Sequence, residues 1–405
     1  GVIILRRPLD YEQTQHYVLT VQARDGGGRA SSVTVYVNVK DLNDNPPVFD
    51  PDRYSADDIS EDVPAGTSIL TVSATDRDEG PNAEMDFSIV SGDPNDQFSI
   101  QSDGTIVTAA ALDREQNYLY NLVVMATDRA IPAYMRLSST AQVEIIVNDI
   151  NDNPPRFVTP NVTSVYENSP VNTVVMTIRA EDPDEERNSY VEYSMASIPG
   201  NKFALDSVTG QLRVNGDLDR EATPSYVVTV TATDKGRPPM SASMDLTINL
   251  LDRNDNNPVF GPVSYDVSVL EDVAVGTELV QVVAADVDEG TNGVVRYSIV
   301  SGNTDNDLTI NAVTGRISVA RLIDHERTTG YNLVVRARDQ GTSPLEALAT
   351  VTITVTDVND YVPLFLNSPF VAHVMENDNN VPQFVTQISA QDEDSGTMGQ
   401  VDYYL

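Results

Sequence analysis

Neither cysteine nor tryptophan occurs in this 405-residue chain, and histidine occurs only three times. Without cysteine there is no disulfide framework, no thiolate zinc site and no cysteine nucleophile. The histidines, His16, His325 and His373, share no ligand spacing. No apolar run approaches the roughly 18 residues that a membrane-crossing helix needs. The opening GVIILRR has neither an initiator methionine nor a signal-peptide cleavage site. Basic residues are scarce as well, 25 against 61 acids, for a formal charge of −36. Such a field repels nucleic acid and anionic membranes and attracts cations. HExxH, GxSxG and Walker loops are absent, which leaves an enzyme reading only its paired carboxylates. A catalytic pair occurs once per site, whereas the acids here recur through the chain.

What is present is a repeat. The phrase DLNDNPPVF at Asp41 returns as DINDNPPRF at Asp149, DRNDNNPVF at Asp252 and DVNDYVPLF at Asp357. Its NDN core starts at Asn43, Asn151, Asn254 and, as a variant, Asn359, with intervals of 108, 103 and 105 residues. Three other phrases keep phase with it. LDYE, LDRE, LDRE and IDHE end at Glu12, Glu115, Glu221 and Glu326; ARD or ATD ends at Asp25, Asp128, Asp234 and Asp339; DxD starts at Asp76, Asp182, Asp286 and Asp392.

Between these phrases apolar residues alternate with period two, as in Val33, Val35 and Val37, or Tyr331, Leu333, Val335 and Ala337. No long 3.6-residue pattern competes. Short half-buried strands in units of about 100 residues predict tandem seven-stranded Greek-key antiparallel β-sandwiches, an all-β architecture. The phase sets expected boundaries at 1–45, 46–153, 154–256, 257–361 and 362–405. Three units are complete and two partial, as expected of an interior stretch of a longer protein, and the terminal pieces are expected to be the least stable.

The linker phrases carry the chemistry. Pro46 biases Asn45 toward extended backbone, so Asn43 and Asp44 are expected to face opposite neighbours, with the carbonyls of Leu42 and Asn45 free. Mixed carboxylate, amide and carbonyl oxygens without thiolate or imidazole suit Ca²⁺. At the second junction Glu61, Asp113 and Glu115 would converge from upstream and Asp182, Asp184 and Asp234 from downstream. Asn151, Asp152 and the carbonyls of Ile150 and Asn153 lie between them. Without cations these carboxylates would repel one another.

LDRE, DxNDNPP, the isolated upstream glutamate and the DxD and TATD aspartates together resemble the calcium-binding motifs of extracellular cadherin repeats, over essentially the whole chain. The resemblance implies about three Ca²⁺ ions per junction, each wrapped by oxygen ligands. At the third junction it assigns Glu167, Asp219, Glu221 and Asp255 to two upstream ions. Asn254, Asp286, Asp288 and Asp339 take the downstream ion, with backbone oxygens of Arg253, Asn256 and Asn292. Asn82 and Asn188 have the backbone role of Asn292 in the two earlier junctions. The first junction has Asp10, Glu12, Asn43, Asp44, Asp76, Asp78 and Asp128, its own upstream glutamate preceding residue 1. The fourth has Glu271, Asp324, Glu326, Asn359, Asp360, Asp392 and Asp394, with the carbonyls of Val358 and Tyr361. There His325 replaces arginine and is expected to be a solvated side chain. Tyr361 replaces an asparagine of which only the backbone oxygen is needed. Glu376 matches an upstream glutamate whose junction lies beyond residue 405.

By this resemblance the chain is part of a membrane-anchored ectodomain at the cell surface, of a nonclassical Fat, Dachsous, protocadherin or tip-link kind. It implies calcium-dependent cell–cell adhesion through another cadherin ectodomain, homophilic or heterophilic. The alternative is a passive calcium-stiffened spacer. Asn161, in Asn-Val-Thr, is the one N-glycosylation sequon.

Overall fold

The computed structural model describes residues 1–376 and 382–405. Among them the only helical turns are three short 3-10 segments, Gly80–Asn82, Ala133–Met135 and Pro199–Asn201, and the rest of the regular structure is strand. In the first full unit one sheet has the order Arg53–Ser60, Ser138–Asn148, Leu119–Asp128, Met85–Ser91. The facing sheet has the order Ser68–Thr71, Thr105–Thr108, Phe98–Ile100. Val48–Phe49, just after the linker prolines, pairs with Ala74–Thr75 and ties the linker to its new sandwich. The second unit repeats this with Val162–Tyr166, Ser241–Leu251, Ser225–Thr233 and Glu192–Met195, the third with Ser264–Leu270, Glu346–Thr356, Gly330–Arg338 and Arg296–Ser301.

Alternation builds the cores. Tyr120, Leu122, Val124 and Ala126 are buried along one strand, and Ala141, Val143, Ile145 and Val147 along its neighbour. Burying each large apolar side chain contributes roughly 1.5–3 kcal/mol. Every full unit has its own cluster of this kind, around Ile106, Leu212 and Ile317 respectively. The register that fills the core also ends it: two residues after Ala126 it delivers the fully buried Asp128. Ala232 and Ala337 lead in the same way to Asp234 and Asp339, 3% exposed each. A core strand thus finishes with a carboxylate at the pole of its sandwich.

One expectation needs correction, since the sandwiches are not wholly antiparallel. Arg53–Ser60 runs parallel to Ser138–Asn148, and the corresponding pairs in the second and third units are parallel too. Each unit is entered at one pole and left at the other. Its first and last long strands therefore run in the same sense, and as neighbours they pair in parallel. At the ends of the chain less is assembled among the described residues: His16–Arg24 pairs only with Ala30–Asn38, and Leu364–Phe365 with Ala390–Gln391.

Candidate metal centres

The second, third and fourth junctions each begin with a glutamate held by backbone. Glu61 accepts the N–H of Arg114 at 2.7 Å on one oxygen and of Ile150 at 2.9 Å on the other. Glu167 does the same with Arg220 and Arg253, and Glu271 with His325 and Val358, all at 2.6–2.8 Å. These glutamates are at most 5% exposed, and each fixes its LDRE-type turn against its own linker. The turn's aspartate caps it: Asp10, Asp113, Asp219 and Asp324 accept the N–H three residues on.

The downstream half is equally regular. Asp78 donates its N–H to Asp76, Asp184 to Asp182, Asp288 to Asp286 and Asp394 to Asp392. The Asn43 amide reaches Asp128 at 2.9 Å and the Met135 carbonyl at 2.6 Å. Asn151 makes these contacts with Asp234 and Pro238, Asn254 with Asp339 and Ser343. Gly236 and Gly341 permit the approach, because a Cβ there would lie 2.2 Å and 2.8 Å from the Asn151 and Asn254 Cγ atoms. The third linker residue also reaches downstream, with Asn45, Asn153 and Asn256 donating side-chain N–H to Asp78, Asp184 and Asp288. Tyr361 keeps only the backbone bond, to Asp394 at 3.1 Å.

Acids from both sides then meet. Oxygens of Glu12, Asp44 and Asp78 lie within 4.8 Å of one another, as do those of Glu115, Asp152 and Asp184, and of Glu221, Asp255 and Asp288. Upstream of these, Glu61, Glu115 and Asp149 form a group, and Glu167, Asp219 and Glu221 another. Burial, and then Glu61 and Asp149, push the Glu115 carboxyl up to about 7. Burial is also the leading cause that raises Asp152, Asp182, Asp255 and Asp286, reinforced by Glu61, Asp184, Glu167 and Asp288. Asp360, in the fourth junction, is raised by desolvation and by Glu271 and Asp394.

These groups fit a hard divalent cation. The buried Oδ1 atoms of Asn43, Asn151 and Asn254 and the Oδ2 atoms of Asp76, Asp182 and Asp286 have no hydrogen-bond donor among the described residues. In each of the three asparagines an aspartate and a backbone carbonyl take the amide N–H groups, and the amide oxygen is left without a donor. The donor set is all oxygen, as Ca²⁺ prefers.

Some expected features differ. The Ile150 carbonyl accepts the Asp152 N–H at 3.1 Å, which leaves its second lone pair for a cation. His325 is not a solvated side chain; it is half-buried, with Nδ1 2.9 Å from the Val355 carbonyl. Asn359 lies exposed, and exposed Glu376 adjoins residues 377–381, which fall outside the described ones. Asn82, Asn188 and Asn292 were expected to offer backbone oxygens. Their side-chain amides in addition hold the first aspartate of the linker phrase, at 2.7 Å to Asp41, 2.9 Å to Asp149 and 2.7 Å to Asp252. Those three aspartates were left out of the expected ligand set. Their fixed phase in the repeat was the signal available. In the fourth junction Ser395 holds Asp357 through N–H and hydroxyl, at 2.6 and 2.8 Å.

A family model described as "Cadherin domain" matches residues 1–40, 56–148, 161–251 and 265–356. Mouse protocadherin Fat 4 is 46% identical over all of this chain, which spans 8% of that protein's length. Mouse cadherin EGF LAG seven-pass G-type receptor 2 is 38% identical, again over all of the chain and 14% of its own length. Among solved structures, the protocadherin gamma B2 extracellular cadherin domains 3-6 superpose with a TM-score of 0.74 at 28% identity, covering 87% of this chain and 86% of theirs. Mouse cadherin-23 EC22-24 gives 0.56 at 29% identity, covering 78% of this chain and all of its own.

Proposed function

Because the chain belongs to the cadherin family, whose domains bind calcium between consecutive repeats, we propose that its junctions are Ca²⁺ clamps that stiffen a row of sandwiches for cell–cell adhesion. The observation that carries this is the group Glu115, Asp152 and Asp184, in which the upstream repeat, the linker and the downstream repeat each place an oxygen within 4.8 Å of the others.

The repeats are read as 46–153, 154–256 and 257–361, with partial ones at 1–45 and 362–405. At the third junction Glu167, Asp219, Glu221 and Asp255 would hold the upstream ions, and Asn254, Asp286, Asp288 and Asp339 the downstream one. The other junctions use their counterparts, for about three ions each at the six to eight oxygens calcium takes. Bound calcium supplies positive charge where the acids otherwise repel. The protein supplies the rest: Glu61, Glu167 and Glu271 lock linker to turn, and Asn43, Asn151 and Asn254 orient the downstream aspartates. Extracellular calcium modules work at roughly 10⁻⁴ to 10⁻³ M, a range that suits a clamp outside the cell. In this reading the partner is another cadherin ectodomain and the parent protein is membrane-anchored.

Two experiments test this. Small-angle scattering should show a shorter, broader distance distribution on chelation, and an unchanged profile would contradict the clamp. Beads carrying the chain should cluster in calcium and disperse in chelator, whereas absence of clustering in both would make the chain a spacer.

A further inference from the structure

The residue inside the LDRE phrase, between its aspartate and glutamate, is Tyr11, Arg114, Arg220 and His325 in the four junctions. The residue after DxD is Glu79, Glu185, Glu289 and Ser395. Where both are charged, they meet. Arg220 contacts Glu221 at 2.9 Å and Asp252 at 3.5 Å through one nitrogen, and its other nitrogen crosses to Glu289 of the next repeat at 2.6 Å. Arg114 lies 3.6 Å from Glu115 and 3.8 Å from Asp149, and its second nitrogen crosses to Glu185. Both arginine side chains are well covered, 14% and 17% exposed, although the glutamates are 58% and 65% exposed.

We propose that Arg114–Glu185 and Arg220–Glu289 are metal-independent clasps that hold the second and third junctions partly closed when calcium is withdrawn, and that the first and fourth junctions lack this device. A guanidinium fixed among three carboxylates offsets part of their repulsion with a charge the chain carries permanently. Its planar fork faces the near side of the junction with one nitrogen and the far side with the other. In the first junction Glu79 remains, but Tyr11 brings no charge. In the fourth, His325 turns to the Val355 carbonyl and Ser395 is engaged by Asp357, so neither crosses. Withdrawal of calcium then loosens the four hinges unequally, the outer two first.

The calcium reading decides only which condition reveals the clasp, and separate arms test the two. The chain contains no cysteine, so spin labels attach cleanly at Ser99→Cys and Ala204→Cys, exposed positions on either side of the second junction. Pulsed electron resonance then measures the distance distribution of the whole chain in calcium and in chelator. In chelator, Glu185→Gln and Arg114→Gln should each shift the closed-to-open ratio about two- to fivefold toward open, the size of one partly exposed ion pair. Arg114→Gln combined with Glu185→Gln should open the junction no further than Arg114→Gln alone, because Glu185 acts through Arg114. In calcium all variants should give one narrow distribution; broad distributions there would count against the clamp and leave the clasp to the chelator arm. Glu185 is a surface side chain, so its variant folds whatever becomes of Arg114. If Glu185→Gln in chelator superimposes on the unsubstituted chain, or the double variant opens beyond Arg114→Gln by the full effect of Glu185→Gln, the clasp is refuted.

Discussion

Glu167 shows how much one side chain organises. It is fully buried and accepts two backbone N–H groups, from Arg220 at 2.7 Å and Arg253 at 2.8 Å. Glu167→Ala strands both donors and should cost on the order of 3 kcal/mol, read as lower denaturant resistance of the second repeat in calcium. A loss within about 0.5 kcal/mol, typical of a plain surface position, would contradict the role. Glu115 gives a pH dependence. Its carboxyl, pushed up to about 7, penalises the metal-free fold when ionised. That penalty is complete above pH 7 and fades as the pH falls from about 7 toward the ordinary carboxylate range. Metal-free protein should therefore melt higher at pH 6 than at pH 8 in calorimetry, and equal or reversed melting would contradict the crowding. The acids themselves were legible, since four phrases in phase named them. His325 was not: its local phrase marks it only as a substitution, and the Val355 carbonyl it meets is 30 residues away in sequence.

Strands were legible wherever alternation was clear, because period two in Tyr331, Leu333, Val335 and Ala337 maps directly onto the buried face. The parallel pairing of first and last strands was not, because no local pattern records which distant strand lies alongside. Nor did the pattern reveal that the position before the core residue of one short strand is filled differently in each unit. Gln97 accepts the Tyr120 hydroxyl at 2.7 Å in the first, while in the third the fully buried Asp307 accepts Tyr331 at 2.8 Å and Arg327 at 2.7 Å. Arg327 is 45% exposed, so water screens part of the pair. Arg327→Ala should still destabilise the third sandwich by about 1–2 kcal/mol by leaving a buried carboxylate short of a partner. A melting transition of that repeat equal to the unsubstituted one would contradict this.

Among the described residues three self-contained cores are strung through four acidic junctions, in a chain of net charge −36. In the proposed clamp, bending is therefore governed at the junctions and not within the sandwiches. The end segments pair fewer strands than the full units, so amides in 1–45 and 362–405 should exchange with deuterium faster than those of the central repeats; uniform exchange would contradict that ordering. The most direct test of the clamp is a crystal structure of this chain grown in millimolar calcium, with the ions located by anomalous scattering. The account predicts calcium at the second and third junctions bound by oxygens from both neighbouring repeats, Glu115 with Asp184 and Glu221 with Asp288 among them. Junctions without calcium, or calcium held by one repeat alone, would contradict it.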